Sequence, residues 1–197
     1  AAVCVAVVGP LLAPAAQAAG NTLTRVRIDQ VLAEERKVVV KIAVMGTGGV
    51  GGYFGAKLAR NDDVTFIARG DHLAAIKANG LRVSSSLGDL HLNDVKATAN
   101  PGDVGPVDVV LFGVKLWDTE SAAAAIRPMI GKDTAVISLQ NGVIKDEMLM
   151  TALGERAVVG GVCYIAATIA SPGVIAHTGT MQRIVFGEYD GRSSERV

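Results

Sequence analysis

A glycine-rich turn stands where this chain leaves one kind of secondary structure for another. Val38-Val39-Val40-Lys41-Ile42-Ala43-Val44-Met45 is a run of β-branched and apolar residues, the pattern of a strand buried on both faces of a parallel sheet. Gly46-Thr47-Gly48-Gly49-Val50-Gly51 follows at once. Val50 to Arg60 then places Tyr53, Phe54, Ala56, Leu58 and Ala59 on one apolar stripe at helical spacing. A G-x-G-x-x-G pattern alone arises by chance in a chain with 23 glycines; between a buried strand and an amphipathic helix it defines a strand–turn–helix element. Gly46 permits the tight turn, Gly48 lets a ligand approach the backbone with no Cβ in the way, and Gly51 lets helix and strand pack closely. The helix start adds unpaired N–H groups and a partial positive charge, so Gly46 through Gly51 read as a phosphate-binding loop.

The same alternation continues downstream. Asp63 to Ala68 is a short strand, and Asp71 to Asn79 is a helix with Asp71 as a plausible N-cap and Gly80 at its end. Leu81-Arg82-Val83 and Leu90-His91-Leu92 flank a turn and predict an antiparallel hairpin. Val107 to Val114 is a buried strand, Asp118 to Ile130 a helix capped by Asp118, and Thr134 to Leu139 another strand followed by a turn at Asn141-Gly142 and a helix to about Leu153. Val158 to Ile169 and Gln182 to Gly187 are strand-like. Strands and helices alternating in this way predict an α/β fold of the Rossmann type, doubly wound around a mostly parallel sheet.

Composition narrows the classes. The 19 Lys plus Arg balance 19 Asp plus Glu, so no basic field draws the chain to nucleic acid or to an anionic membrane, and neither is an expected partner. With 50% hydrophobic and 4% aromatic residues it is globular rather than disordered, and 197 residues suit one domain and a remnant. Cys4 and Cys163 lie far apart in sequence; neither a disulfide framework nor a cysteine metal site is indicated, which fits a reducing compartment. Ala1 to Gly20 carries no charge and is broken by Pro10 and Pro14, which argues against a membrane-spanning helix. Ala16-Gln17-Ala18 has the small-x-small form of a signal-peptidase site, without a basic segment before it. Residues 1–39 are thus either a signal-like leader or an extension produced by a misassigned start near Val40. Residues 40–190 form the expected cofactor-binding domain, and 191–197 the start of a link.

The end of the second strand bears on which dinucleotide the loop would hold. An acidic residue about 20 positions past the first glycine would hold the ribose hydroxyls of NAD. No Asp or Glu occurs from Val64 to Gly70, and Arg69 stands there instead. A guanidinium forms charge-assisted bonds to a 2′-phosphate that a carboxylate would repel, so NADPH is the expected cofactor.

Several segments, in order, resemble the 2-dehydropantoate 2-reductase (ketopantoate reductase) family: GTGGVGGYFGAKLA, DVTFIARG, DVVLFGVKLWDTE, SLQNGV, GGVCYIAA, PGVIAHTG and VFGE. They cover Lys41 to Gly187 and match only the N-terminal, NADPH-binding half of a two-domain enzyme. The resemblance implies reduction of 2-dehydropantoate to (R)-pantoate, a cytoplasmic step toward pantothenate and coenzyme A, with a small 2-oxo acid as partner and room for a homodimer through the family's C-terminal helical domain. Position by position it puts the cofactor loop on Gly46, Thr47, Gly48, Gly49, Val50 and Gly51 and the 2′-phosphate arginine on Arg69. It puts a cofactor lysine on Lys115, which by itself reads equally as an exposed lysine. Asn141 is implied to touch both nicotinamide ribose and substrate, although Asn-Gly alone is most often a turn. Ala167 is implied to back the cofactor through its main chain, and Glu188 matches a common family glutamate without a firm role.

His177 invites a catalytic assignment because histidine titrates near neutral pH, but neither its setting nor the resemblance supplies an acid/base role, and a packed or surface histidine is the better reading. Reduction of a ketone needs a proton donor at the developing alkoxide. In the family that donor is a lysine of the C-terminal domain, with a substrate-binding glutamate further along it. Both are expected beyond Val197, so no catalytic residue is assigned within the chain, and the isolated chain is expected to bind NADPH without turnover. Two alternatives remain open to the sequence: a family reductase for another small 2-oxo acid, and a non-catalytic dinucleotide-binding module or truncated product.

Overall fold

Ile42 and Val44 point into one hydrophobic core and Ala43, between them, into a second on the other side of the sheet. That two-residue period is the mark of a strand buried on both faces. The structure, a computed structural model, describes residues 4–7, 39–194 and 196–197. Its strands are β1 (Cys4–Val7), β2 (Lys41–Met45), β3 (Asp63–Ile67), β4 (Leu81–Ser85), β5 (Leu90–Leu92), β6 (Lys96–Thr98), β7 (Val107–Phe112), β8 (Ile130–Ser138), β9 (Val158–Ser171) and β10 (Val174–Gly187). The helices are α1 (Gly49–Leu58), α2 (Gly70–Asn79), α3 (Thr119–Ile126) and α4 (Lys145–Leu153). Apart from β1 and Val39, the leader expected over 1–39 lies outside the described residues.

The sheet runs β5-β4-β10-β9-β8-β7-β2-β3-β6, with β1 pairing β10 in addition. From β6 to β9 all neighbours are parallel, while β9–β10, β4–β5 and β1–β10 are antiparallel. Within the parallel part β2 lies in the middle, with β3 and β6 on one side and β7, β8 and β9 on the other; between β3 and β6 the chain crosses to the far edge, where β4 and β5 lie beside β10. The β2–β7 boundary is therefore the switch point, the place where an open α/β sheet leaves a crevice beyond its carboxyl ends.

Helix α1 packs on the first core through Tyr53, Phe54 and Ala56, none of which retains exposed surface; burial of each large side chain contributes about 1.5–3 kcal/mol. Ala122, Ala123 and Ile126 of α3 and Leu149 of α4 fill the second core. The far half of the long β9–β10 hairpin reaches across α1: Tyr53 donates to Gln182 Oε1 at 2.5 Å, and its ring lies 4.4 Å from that of His177. Val197, in the segment expected to begin a link, folds back on this domain: it is half-buried against the first core, and its N–H donates to the Ser194 carbonyl at 3.3 Å.

Several local expectations are corrected. Helix α3 ends at Ile126 rather than Ile130, because Pro128 cannot continue it; Arg127–Met129 form a 3-10 turn and β8 starts at Ile130, ahead of the expected Thr134. Asp71 is not an N-cap. Arg69 occupies that place without a capping bond, and Asp71 sits in the first turn of α2, where its charge still suits the helix dipole. Asp118 does stand at the start of α3 but makes no capping bond through its side chain. The helix after Asn141 begins only at Lys145, the left-handed Gly142 (φ +97°) ending the turn first. Strand β6 is not among the expected elements, since three residues are too few to display a period.

Candidate functional site

The three loop glycines meet three different environments. At Gly46 φ is +91°, a conformation open to glycine, and a Cβ there would lie 2.8 Å from Val114 N. At Gly51 a Cβ would run into the Gly46 carbonyl oxygen, so the absence of a side chain is what lets the first turn of α1 sit on the turn beneath it. At Gly48 no atom lies within 4 Å of the Cβ position. Gly48 is also a wall of the cleft that the loop forms with the end of β3. Gly49 and Val50 open α1 behind it, Gly49 with its α-carbon against the main chain of Ala167 and Val50 half-buried against the first core.

Thr47 is buried and fastens the loop to its neighbour. Its backbone N–H and its hydroxyl both donate to the Ile67 carbonyl, at 3.0 and 2.9 Å, tying the loop to the end of β3. That carbonyl lies two residues before Arg69, so loop and arginine form the walls of one cleft. The cleft has a volume of ≈ 370 Å³, and Gly46, Thr47, Gly48, Arg69, His72 and Asp118 all line it. No acidic residue stands in the first turn of α1 to compete with an anion.

Arg69 carries the cation of this cleft on a side chain 78% exposed, with Nη2 at 3.6 Å from Asp118 Oδ2 on the facing wall. His72 sits lower. Its Nδ1 accepts from the Gly173 N–H at 3.0 Å, which leaves the ring proton on Nε2, a buried atom without a hydrogen-bond partner among the described residues. Burial holds its pKa below the ordinary value of 6.5, partly offset by the nearby Thr47 backbone.

The remaining expected residues distribute around this cleft rather than within it. Lys115 is exposed just past the carboxyl end of β7, and Asn141 is exposed just past that of β8; neither lines the cleft. Ala167 of β9 closes against Gly49, and Ile169 of the same strand is a cleft wall. Glu188 is at the other end of the sheet, beside the amino-terminal half of β8: Arg196 grips both of its carboxylate oxygens, at 2.8 and 2.9 Å, and donates to the Thr134 carbonyl at 3.2 Å. This pairing holds the Glu188 carboxyl below its ordinary pKa. Val197 follows Arg196 to that end of the sheet and is not a wall of the cleft. His177 is packed, as its setting implied, with Nε2 2.9 Å from the Met181 carbonyl and Nδ1 2.8 Å from Ser85 Oγ. Cys163 is a free thiol; burial pushes its pKa up, with Lys145 opposing.

Two cleft residues, His72 and Asp118, were missed as site residues. Both stood in view as parts of helix starts, and the available signal was their place: each is three residues past a side chain already placed at a strand's carboxyl end, Arg69 and Lys115.

A dinucleotide fits what is present. The loop offers the cradle that a Cβ at Gly48 would fill, a helix start without competing carboxylates, and a solvent-exposed guanidinium on the cleft wall.

Among the described residues no helix is long and apolar enough to cross a membrane. The family model of Ketopantoate reductase PanE/ApbA matches residues 42–191. The chain is 34% identical over 180 residues to a 2-dehydropantoate 2-reductase of Mesorhizobium japonicum, covering 80% of this chain and 55% of that protein. It is 33% identical over 159 residues to the uncharacterized oxidoreductase YkpB of Bacillus subtilis, covering 80% and 52%. Among solved structures, a 2-dehydropantoate 2-reductase from Geobacter metallireducens is similar at TM-score 0.74 and 36% identity, covering 80% of this chain and 52% of that one. The chain thus spans about half the length of the curated relatives it matches. With the glycine loop, the switch-point cleft and these matches in agreement, the chain belongs to the ketopantoate reductase PanE/ApbA family of oxidoreductases.

Proposed function

We propose that this chain is the cofactor-holding part of an NADPH-dependent 2-dehydropantoate 2-reductase. The observation that carries the cofactor is Arg69: a guanidinium, with no carboxylate on its own strand end, stands beside the open side of Gly48. In this reading residues 40–190 are the NADP-binding domain and 191–197 begin a link to the rest of the enzyme. Gly46 to Gly51 receive the pyrophosphate on the start of α1, and Arg69 receives the 2′-phosphate. Lys115 and Asn141 stand at the carboxyl ends of the next two strands, where Lys115 reaches cofactor oxygens and Asn141 both donates and accepts toward ribose and the 2-oxo acid. Ala167 fixes the back of the loop. Bound there, NADPH supplies the hydride.

Protonation of the product oxygen needs a donor that the family resemblance places beyond Val197, in the other half of the enzyme. The 197 residues alone are therefore expected to bind NADPH and not to turn over, and a cytosolic NADPH supply makes the cytoplasm the proposed location. The test adds 2-dehydropantoate and NADPH to the full-length gene product and to the 197-residue chain and follows cofactor absorbance. Turnover by the first alone supports the reading; equal turnover by both, or none by the full-length product, contradicts it. A second reading, a reductase of another small 2-oxo acid, is favoured by the match to YkpB, an oxidoreductase without an assigned substrate. Assaying a short series of 2-oxo acids on the full-length product separates the two.

A further inference from the structure

Arg69 does not face its cleft alone. Asp118 stands on the opposite wall, its Oδ2 3.6 Å from Arg69 Nη2, and both residues line the same ≈ 370 Å³ space. The carboxylate makes only a small structural contribution, a charge at the start of α3 that suits the helix dipole. It makes no capping bond to α3, and an ion pair whose side chains are 78% and 36% exposed adds little to stability. Its position has a direct consequence for the ligand.

The geometry points to Asp118 as a specificity-determining residue that opposes Arg69 and moderates the preference for NADPH over NADH; this rests on the NADPH reading above. A 2′-phosphate seated on Arg69 brings close to two negative charges near a carboxylate that already holds the same guanidinium. Asp118 competes for the cation and repels the phosphate. A cofactor with a plain 2′-hydroxyl meets the reverse situation, since a hydroxyl can donate to that carboxylate. Arginine and aspartate thus pull the selection in opposite directions from facing walls of one cleft. The arginine sets the preference and the aspartate limits its size.

The test measures Kd for NADPH and for NADH on the 197-residue chain by fluorescence titration, for the wild type, Asp118→Asn, Asp118→Ser and Arg69→Gln, with thermal unfolding to show that each variant folds. Asn keeps the shape and removes the charge; Ser removes both. Either is expected to tighten NADPH by about tenfold at low ionic strength, the scale of one unit-charge interaction near a protein surface, with NADH unchanged or weaker. That gain is expected to shrink as salt screens the pair. If Arg69→Gln abolishes the NADPH preference while both Asp118 variants leave the ratio of the two Kd values unchanged or lower it, the role given to Asp118 is wrong and the cofactor assignment stands. If Arg69→Gln leaves the ratio unchanged, the cofactor assignment falls and this inference with it.

Discussion

The α-carbon of Gly49 lies directly against the backbone carbonyl of Ala167, so the start of α1 is pressed onto β9 with no room for a side chain between them. Two positions in the same loop therefore respond to alanine in opposite ways. Gly49→Ala drives a Cβ into main chain and is expected to cost about 1–3 kcal/mol, as overpacking does. Gly48→Ala meets no atom within 4 Å and is expected to unfold within about 0.5 kcal/mol of the wild type. Its methyl group instead occupies the ligand side, and NADPH affinity is expected to fall by at least about tenfold, the scale set by losing close backbone approach to phosphate. Thermal unfolding and a binding titration on the two variants check this; a Gly48→Ala chain that binds normally would show that the ligand does not approach there.

The buried Nε2 of His72 gives the fold an acid-sensitive point. Its folded pKa lies below the ordinary 6.5, so the unfolded chain binds the proton more readily. The stabilisation is fully present above about pH 6.5 and is lost as the pH falls from there toward the lower folded value. A melting series from neutral to mildly acidic pH is expected to fall in this window for the wild type and to flatten for His72→Gln. An unchanged slope in the variant would remove His72 as the cause.

Glu188 should act in a separate and more acidic window. Arg196 lowers its carboxyl pKa, so its contribution is present above the ordinary 4.5 and is lost as the pH falls through the folded value. Glu188→Gln is expected to destabilise at pH 7 and to remove the loss below about pH 4.5 while leaving the His72 window in place. Cofactor affinity is expected to stay within about twofold, because the residue stands at the end of the sheet away from the cleft and distant sites behave independently. A large loss of binding on this substitution would contradict that placement.

Tyr53 fastens the β9–β10 hairpin over α1. Tyr53→Phe removes the donor to Gln182 Oε1 and is expected to cost about 1 kcal/mol, lowering Tm by roughly 2–4 °C for a chain of this size. Hydrogen exchange locates the effect: amides of Val174 to Gln182 should lose protection while those of β2 do not. Uniform loss across the sheet would mean that the contact supports the whole core instead.

The parallel sheet was legible because β2, β7 and β8 are short apolar runs ended by turn residues, and the glycine loop because its neighbours gave it a context. The hairpin of β4 and β5 was legible from the alternating apolar and polar residues of the two triplets that flank its turn, Leu81-Arg82-Val83 and Leu90-His91-Leu92. What sequence pattern could not convey is the long-range geometry. β4 pairs with β10, and nothing local in Leu81–Ser85 names that partner. Val197 likewise reads as part of a polar link, and its packing against the first core depends on residues far back in the chain. Asp118 and Asp71 looked like helix caps because capping residues and site residues share chemistry, and only the fold shows that Asp118 faces Arg69. His72 was hidden for the same reason. Its burial depends on Gly173, whose N–H it accepts although 101 residues separate the two.

Arg69 is the residue proposed to select the cofactor. Titrating the 197-residue chain with NADPH and with NADH, before and after Arg69→Asp, tests it without any contribution from turnover. The expected result is tighter binding of NADPH by the wild type and a loss of that advantage in the variant, with NADH affinity changed far less. Equal losses for the two cofactors, or no NADPH preference at the start, would contradict it.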